Sequence, residues 1–260
     1  MNTFYKNQVL KYGYWWSGNY ASWKDAENES IGYSAPNIAE QVKQTLLVTK
    51  DSSDVYELDG RIMRGTPWSA IKLLKCIKKS AIGKSINVID FGGSLGTTYY
   101  QLKGFLKGYN VRWNVIEQEH FVEIGKETFQ NDVLKFYNNV EDCLKDTKPN
   151  CFIASGSLTY IENPYDLLYS LKQYRFDWLI LDRVSVIKGD IDRITIQIIP
   201  PSIYEAIYPC WFLSQNKLLE QINGIGYKHI ETFNGASSKY FTRSIRNSLE
   251  KGFIFNYDHK

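Results

Sequence analysis

From residue 86 onward, short apolar runs alternate with amphipathic stretches. Residues 86–91, 112–117, 135–137, 151–155 and 178–181 read as strands. Helical spacing fills the gaps: from about Thr97, from about His120, over 140–145 and over 164–174. Apolar strands separated by helices predict a parallel sheet covered on both faces. The tail breaks the alternation. "NKLLEQINGIGYKHIETF" reads as helix, turn and strand, and "KGFIFNY" as a last strand with no helix before it. That ending predicts an antiparallel pair closing a parallel sheet.

Before residue 66 the pattern is weaker. In "PNIAEQVKQTLLVTK", Ile38, Val42 and Leu46 recur at helical spacing behind Pro36. "TPWSAIKLLKCIKKS" predicts a helix capped by Thr66, with Pro67 in its first turn and Trp68, Ile71, Leu74 and Ile77 on one face. "IIPPSIYEAIYPCWFLS" looks like an insertion whose prolines exclude a continuous helix. The expected organisation is an N-terminal lid or substrate segment over 1–65 and a sheet domain over 66–260, with an insertion near 188–215.

Composition narrows the class. A chain of 260 residues, 43% hydrophobic and 23% charged, is expected to fold as one large domain or as a domain with an attached lid. The net charge of +3 gives no reason to expect nucleic acid, which is met by a concentrated basic face. Four cysteines without a CxxC pair, and without metal-type spacing to the three histidines, predict reduced buried thiols and no metal site. The aromatic N-terminus lacks an apolar signal core, and no apolar run is long enough to span a bilayer. The expectation is a soluble, cytoplasmic protein; nothing in the composition sets its oligomeric state.

The chemistry concentrates in "INVIDFGGSLGTTYYQ", residues 86–101. A strand ends in Asp90, a turn carries Gly92, Gly93 and Gly96, and a helix begins. Such a turn lets a ligand approach the backbone and meets it with the free N–H groups of a helix start. A dinucleotide site asks for G-x-G-x-x-G, but here Phe91 holds the first glycine's place, and no Gly-Lys-Ser/Thr makes a P-loop. Asp90 would repel a pyrophosphate and suits a cationic cofactor. Glu117 ends the second strand, where an acid can accept hydrogen bonds from both hydroxyls of a ribose.

"VIDFGGSLG" followed by "VIEQE" resembles the first two cofactor motifs of class I S-adenosylmethionine-dependent methyltransferases, whose pattern is D/E-x-G-x-G-x-G; Ser94 stands where the middle glycine is usual. Across most of the chain, "GNYASWKDAENESIGYSAP", "FYNNVEDCL", "ASGSLTYIENP" and "YPCWFLS" are similar to methyltransferases encoded in surface-polysaccharide biosynthesis clusters. The resemblance implies a Rossmann-like fold with a mostly parallel seven-stranded sheet and an antiparallel last strand. It also implies S-adenosylmethionine as cofactor, with S-adenosylhomocysteine as product, and a small-molecule or glycan acceptor. Carried over by motif, Asp90, Gly92, Gly93 and Gly96 would line the methionine and ribose portions. Glu117 would hold the ribose, Asn138 and Asn139 would lie near the adenine, and Ser155 and Gly156 would face the transferred methyl.

Methyl transfer to a hydroxyl is an in-line displacement that also needs a proton acceptor. Beyond the carboxyl ends of the strands the candidates are Tyr160 and the pair Asp182 and Arg183, with Asp182 the candidate base. An ion pair between those two residues is the competing structural role. Aromatic side chains at Tyr14, Trp16, Trp23, Tyr33, Tyr208 and Trp211 are candidates for stacking on a sugar acceptor, or for anchoring the segment that carries them. The expected activity is O-methylation of a sugar hydroxyl in surface-glycan or nucleotide-sugar biosynthesis. An NAD(P)-dependent sugar dehydrogenase or epimerase, or a binding module without turnover, are the alternatives.

Overall fold

The computed structural model describes residues 3–31, 36–235 and 245–259. Tyr33 lies outside them. The N-terminal part runs α1 (Thr3–Tyr12), β1 (Trp15–Tyr20), α2 (Trp23–Asn28) and α3 (Pro36–Thr49). A hairpin follows, β2 (Val55–Leu58) and β3 (Arg61–Arg64), then α4 (Trp68–Lys79). The alternating part runs β4 (Ser85–Phe91), α5 (Thr97–Leu102), β5 (Asn110–Ile116), α6 (Glu119–Thr128), β6 (Leu134–Tyr137), α7 (Val140–Asp146), β7 (Cys151–Ser155) and α8 (Pro164–Tyr174). It closes with β8 (Trp178–Ile187), β9 (Arg193–Ile198), β10 (Ile207–Ser214), α9 (Gln215–Gly224), β11 (Tyr227–Asn234) and β12 (Ser248–Tyr257).

Strands β6, β5, β4, β7 and β8 pair in that order and all in parallel, and β12 then β11 continue the sheet antiparallel. The five parallel strands and the antiparallel close are those expected from the alternation and the tail. Every residue of β7 is buried, as a strand covered on both faces must be. One face packs on α4, α5 and α6 through Leu73, Ile77, Leu102 and Phe121; the other packs on α8 and α9 through Leu168, Leu171, Leu218 and Ile222.

Strand β8 is longer than its sequence predicts because two neighbours share one of its sides, which extends the expected seven strands to a single ten-stranded sheet. Its β7 pairing ends at Ser155 opposite Asp182, and from Val186 that side pairs in parallel with β10. Beyond β10 lie β9 and then β1 as the edge, all antiparallel. Residues 15–20, expected within a lid, are thus hydrogen-bonded into a sheet with the insertion. Tyr5, Trp23, Ile194, Ile196 and Ile207 form the core of this second layer, and Trp23 stacks on Trp211 with ring centroids 6.0 Å apart.

A β-bulge marks the changeover. Leu181 faces Phe253 of β12 and Val184 faces Lys251, so Asp182 and Arg183 together oppose Gly252. Arg183 takes φ +53°, a left-handed conformation unusual for an arginine. The extra residue changes the phase of the strand: Leu179 and Leu181 face α8 and α9 before it, Val184 and Val186 after it. Two consecutive side chains, Asp182 and Arg183, therefore point the same way.

One helix departs from expectation. Thr66 does not cap α4; Pro67 holds that place without a side-chain bond, and Trp68 is 71% exposed. The buried face is set by Ala70, Leu73, Leu74 and Ile77, and Trp68, the first residue of the helix, lies on the side opposite Ile77.

Candidate functional site

A cavity lies at the carboxyl ends of β4, β7 and β8, where open α/β sheets bind ligands. It has a volume of about 130 Å³, and a second compartment of about 460 Å³ adjoins it across shared wall residues. The first is walled by the glycine turn, the start of α5, Ser155, Gly156 and the bulge, with α3 above. The second is walled by Trp15, Trp16, Tyr160, Ser185, Gln197, Tyr208 and Glu250. Leu58, Asp59, Ser69, Gly156, Arg183 and Tyr204 line both.

The glycine turn explains its own sequence. Ser94 adopts φ +54°, so the conformation a glycine usually supplies is taken here by a serine. Its N–H donates to Glu117 Oε1 at 3.2 Å, and the Gln118 N–H donates to Oε2 at 2.8 Å. Burial raises the Glu117 carboxyl, while the two N–H bonds oppose the shift. Asp90 is 1% exposed and accepts from Trp113 Nε1 at 2.9 Å; burial pushes it up to about 6. It lies beneath the turn instead of on the cavity wall. Gly93 is required above it, since a Cβ there would sit 2.7 Å from the Asp90 carboxyl carbon. Gly92 sits against Ser157, and Gly96 caps α5 against Leu134.

At the end of β7, Ser155 Oγ donates to Asp182 Oδ2 at 2.8 Å and accepts from Arg183 Nε at 3.4 Å. Arg183 also donates to the Ser155 carbonyl at 2.9 Å and lies 3.8 Å from Asp182. Its guanidinium spreads over Gly156, where any Cβ would approach it to 2.9 Å. Burial raises the Asp182 carboxyl, and Arg183 and the Ser155 hydroxyl pull it back. Tyr160 donates to Gln197 Oε1 at 2.8 Å and meets Tyr208 edge-on at 5.3 Å; burial pushes its phenol well up.

The cavity gathers Gly92, Gly93, Ser155, Gly156, Asp182 and Arg183 on one side, and Trp16, Tyr160 and Tyr208 on the other. Several candidates lie elsewhere. Asn138 and Asn139 are exposed, and Asn139 caps α7 by accepting from the Asp142 N–H at 2.8 Å. Tyr14 is 42% exposed outside both compartments, and Trp23 and Trp211 stack within the second layer. Trp23 and Trp211 are far apart in sequence, and the packing of α2 on β9 and β10 brings them together.

Two acids that the sequence reading passed over stand on the wall of the first compartment: Glu57 and Asp59. Both belong to the hairpin, whose two-residue turn Asp59-Gly60 has φ +52° and +71°. Positive φ at both central positions is the preferred hairpin geometry, and Asp-Gly is a preferred sequence for it. The "ELDGRI" stretch therefore carried a readable signal. The tip is tied down: Gly60 O accepts from Gln41 Nε2 at 3.1 Å and from Thr45 Oγ1 at 3.0 Å, both on α3. Asp59 stands 3.9 Å from Arg61 Nη2.

Solved structures share this architecture. The [4+2]-cyclase SpnF aligns with a TM-score of 0.54 at 10% identity, over 85% of this chain and 93% of its own. The N-terminal domain of EvdMO1 with SAH bound aligns at 0.51 and 10% identity, over 88% of this chain and all of that domain. The glycopeptide N-methyltransferase MtfA, complexed with S-adenosylmethionine, aligns at 0.50 and 10% identity, over 75% and 97%. The fold is that of the class I methyltransferases. No family model and no curated protein matches the sequence. SpnF, named for a cyclisation, has the same fold, so fold alone does not fix the reaction. Among the described residues no helix is long and apolar enough to cross a membrane.

Proposed function

We propose that the chain is an S-adenosylmethionine-dependent methyltransferase acting on a hydroxyl of a sugar, in surface-glycan or nucleotide-sugar biosynthesis in the cytoplasm. The charge of the first compartment carries the cofactor assignment. Among the described residues, Glu57, Asp59 and Asp182 line it against a single guanidinium, Arg183. A pyrophosphate would meet three carboxyls there, whereas a cofactor bearing an ammonium and a sulfonium would be attracted. Glu117, with both oxygens turned to backbone N–H groups beside the turn, would hold the ribose hydroxyls; Gly92 and Gly93, on the wall of the compartment, would present backbone to the chain between ribose and amino acid.

When bound, S-adenosylmethionine supplies an electrophilic methyl on sulfur. The protein's share is orientation, exclusion of water and removal of one proton. Transfer must occur where the compartments meet, and Asp59 is the carboxylate lining both. We assign it the acceptor hydroxyl's proton. Asp182, on the cofactor side and bonded to Ser155, would hold Arg183 in place. The second compartment supports a sugar: aromatic faces at Trp15, Trp16 and Tyr208 offer stacking surfaces, and Gln197, Ser185 and Glu250 offer hydrogen-bonding edges.

Calorimetry with S-adenosylmethionine and with NAD separates the leading alternatives. Micromolar binding of the first and none of the second is expected, and the reverse pattern overturns the assignment. Labelled cofactor offered with a panel of nucleotide sugars and methyl glycosides then tests the acceptor class; transfer to none of them removes the sugar.

A further inference from the structure

A buried charge is costly unless a counter-charge or a full set of donors meets it. Glu57 is 2% exposed, and among the described residues the groups that hydrogen-bond its carboxyl are neutral. Oε1 accepts from the Gly60 N–H at 2.8 Å, and Oε2 accepts from the Thr97 hydroxyl at the start of α5. Among the described residues no lysine or arginine lies within ion-pair distance of it. Arg183, the cation on the same wall, is engaged by Ser155 and Asp182. The carboxyl nevertheless borders the first compartment beside Ser94 and Thr97, where the glycine turn becomes a helix.

We propose that Glu57 binds the α-ammonium of the cofactor's amino-acid end. The inference rests on the cofactor assignment above. An ammonium carries three N–H donors and a full charge, so it supplies the counter-charge that Glu57 lacks; a sulfonium has no N–H to donate. The hairpin would then contribute to both halves of the reaction, the ammonium at Glu57 and the acceptor proton two residues later at Asp59. Burial pushes the Glu57 carboxyl up to about 7, so the free protein holds a proton that the bound ammonium would expel. Below that pH the acid is neutral and attracts the ammonium weakly; as pH rises toward 7 the carboxylate forms and binding tightens. The other titratable groups facing Glu57 are Asp59 on its own hairpin, Asp182 and Arg183 on β8, and Tyr204 on the β9–β10 connection.

Calorimetry at several pH values tests this with two probes, S-adenosylmethionine and 5′-methylthioadenosine, which lacks the amino-acid end. Wild-type affinity for S-adenosylmethionine should rise about tenfold between pH 5.5 and 7, with a proton released on binding. Glu57→Gln should bind it about tenfold more weakly at pH 7 and lose the slope. Affinity for 5′-methylthioadenosine should be equal in the two proteins and flat with pH, which also reports an intact fold. If Glu57→Gln loses both probes through misfolding, Glu57→Asp decides, since it keeps the charge and should keep the slope. Glu57→Gln binding S-adenosylmethionine within twofold of wild type, or Glu57→Asp without the slope, overturns the inference. A wild type that binds neither probe overturns the cofactor assignment itself.

Discussion

The two compartments of the cavity are built in different ways. The first has its floor, the glycine turn, α5 and the ends of β7 and β8, in one stretch of alternating strands and helices, and α3, α4 and the hairpin close over it. The second collects β1, the hairpin tip, the bulge of β8, the β9–β10 layer and β12, segments that span nearly the whole chain. The floor of the first is constrained by local backbone geometry, and the second is constrained by tertiary packing throughout. The first should therefore keep its ligand when the second is damaged.

Changes at the junction should have the largest effect. Asp59→Asn should slow methyl transfer by about 100-fold or more, the usual range for losing a general base. Affinity for S-adenosylmethionine should stay within about threefold, far less than the loss in rate. Single-turnover measurement with the acceptor that wild type methylates reads both; an unchanged rate removes Asp59 as base. Next comes Trp23→Ala, which unstacks Trp211 and hollows the second layer. Chemical denaturation should report a loss of about 3–5 kcal/mol, while the folded variant still binds cofactor. Loss of cofactor affinity at a temperature where the variant is folded would show the compartments to be coupled.

Asp90→Asn probes the opposite side. The folded protein holds the Asp90 proton more tightly than the unfolded chain does, so stability is greatest below about 4 and falls as pH rises to about 6. The amide keeps an oxygen for Trp113 and carries no charge. Stability at pH 8 should therefore exceed wild type by up to about 3 kcal/mol, a gain that shrinks toward pH 4. A variant less stable at pH 8 would mean that the ionised carboxylate is needed. The smallest effect is expected from Asn139→Ala, which removes the cap of α7 and should cost about 1 kcal/mol in denaturation. Cofactor affinity should not change, and a tenfold drop would bring the adenine back to this residue.

The difference between the compartments also decides what could be read from sequence. Asp90, Gly92, Gly93 and Glu117 declared a cofactor turn because strand, turn and helix follow one another within about thirty residues. Ser94 looked like a defect, but it keeps the backbone conformation that the missing glycine would have given. Asp90 shows the limit of a motif: the acid is in its place, yet its partner is Trp113 on the neighbouring strand. Asn139 illustrates the same limit, since a residue after a strand is also a residue before a helix, and here the helix claims it. In the second compartment, Trp16 and Tyr208 could be named as aromatics but not paired, because β1, β9 and β10 meet only in three dimensions. Glu57 and Asp59 lay in a four-residue strand and a turn, too short for periodicity to single out.

The bulge at Asp182 and Arg183 has a consequence for how this chain can change over time. Removing one residue there would return β8 to simple alternation and turn Ser185 and Ile187 away from the acceptor side, exchanging their places with Val184 and Val186. Loops around the cavity can lengthen or shorten by single codons at little cost, but this strand cannot. Relatives that accept different molecules should therefore vary in loop length and side chain while keeping the residue count of β8 fixed.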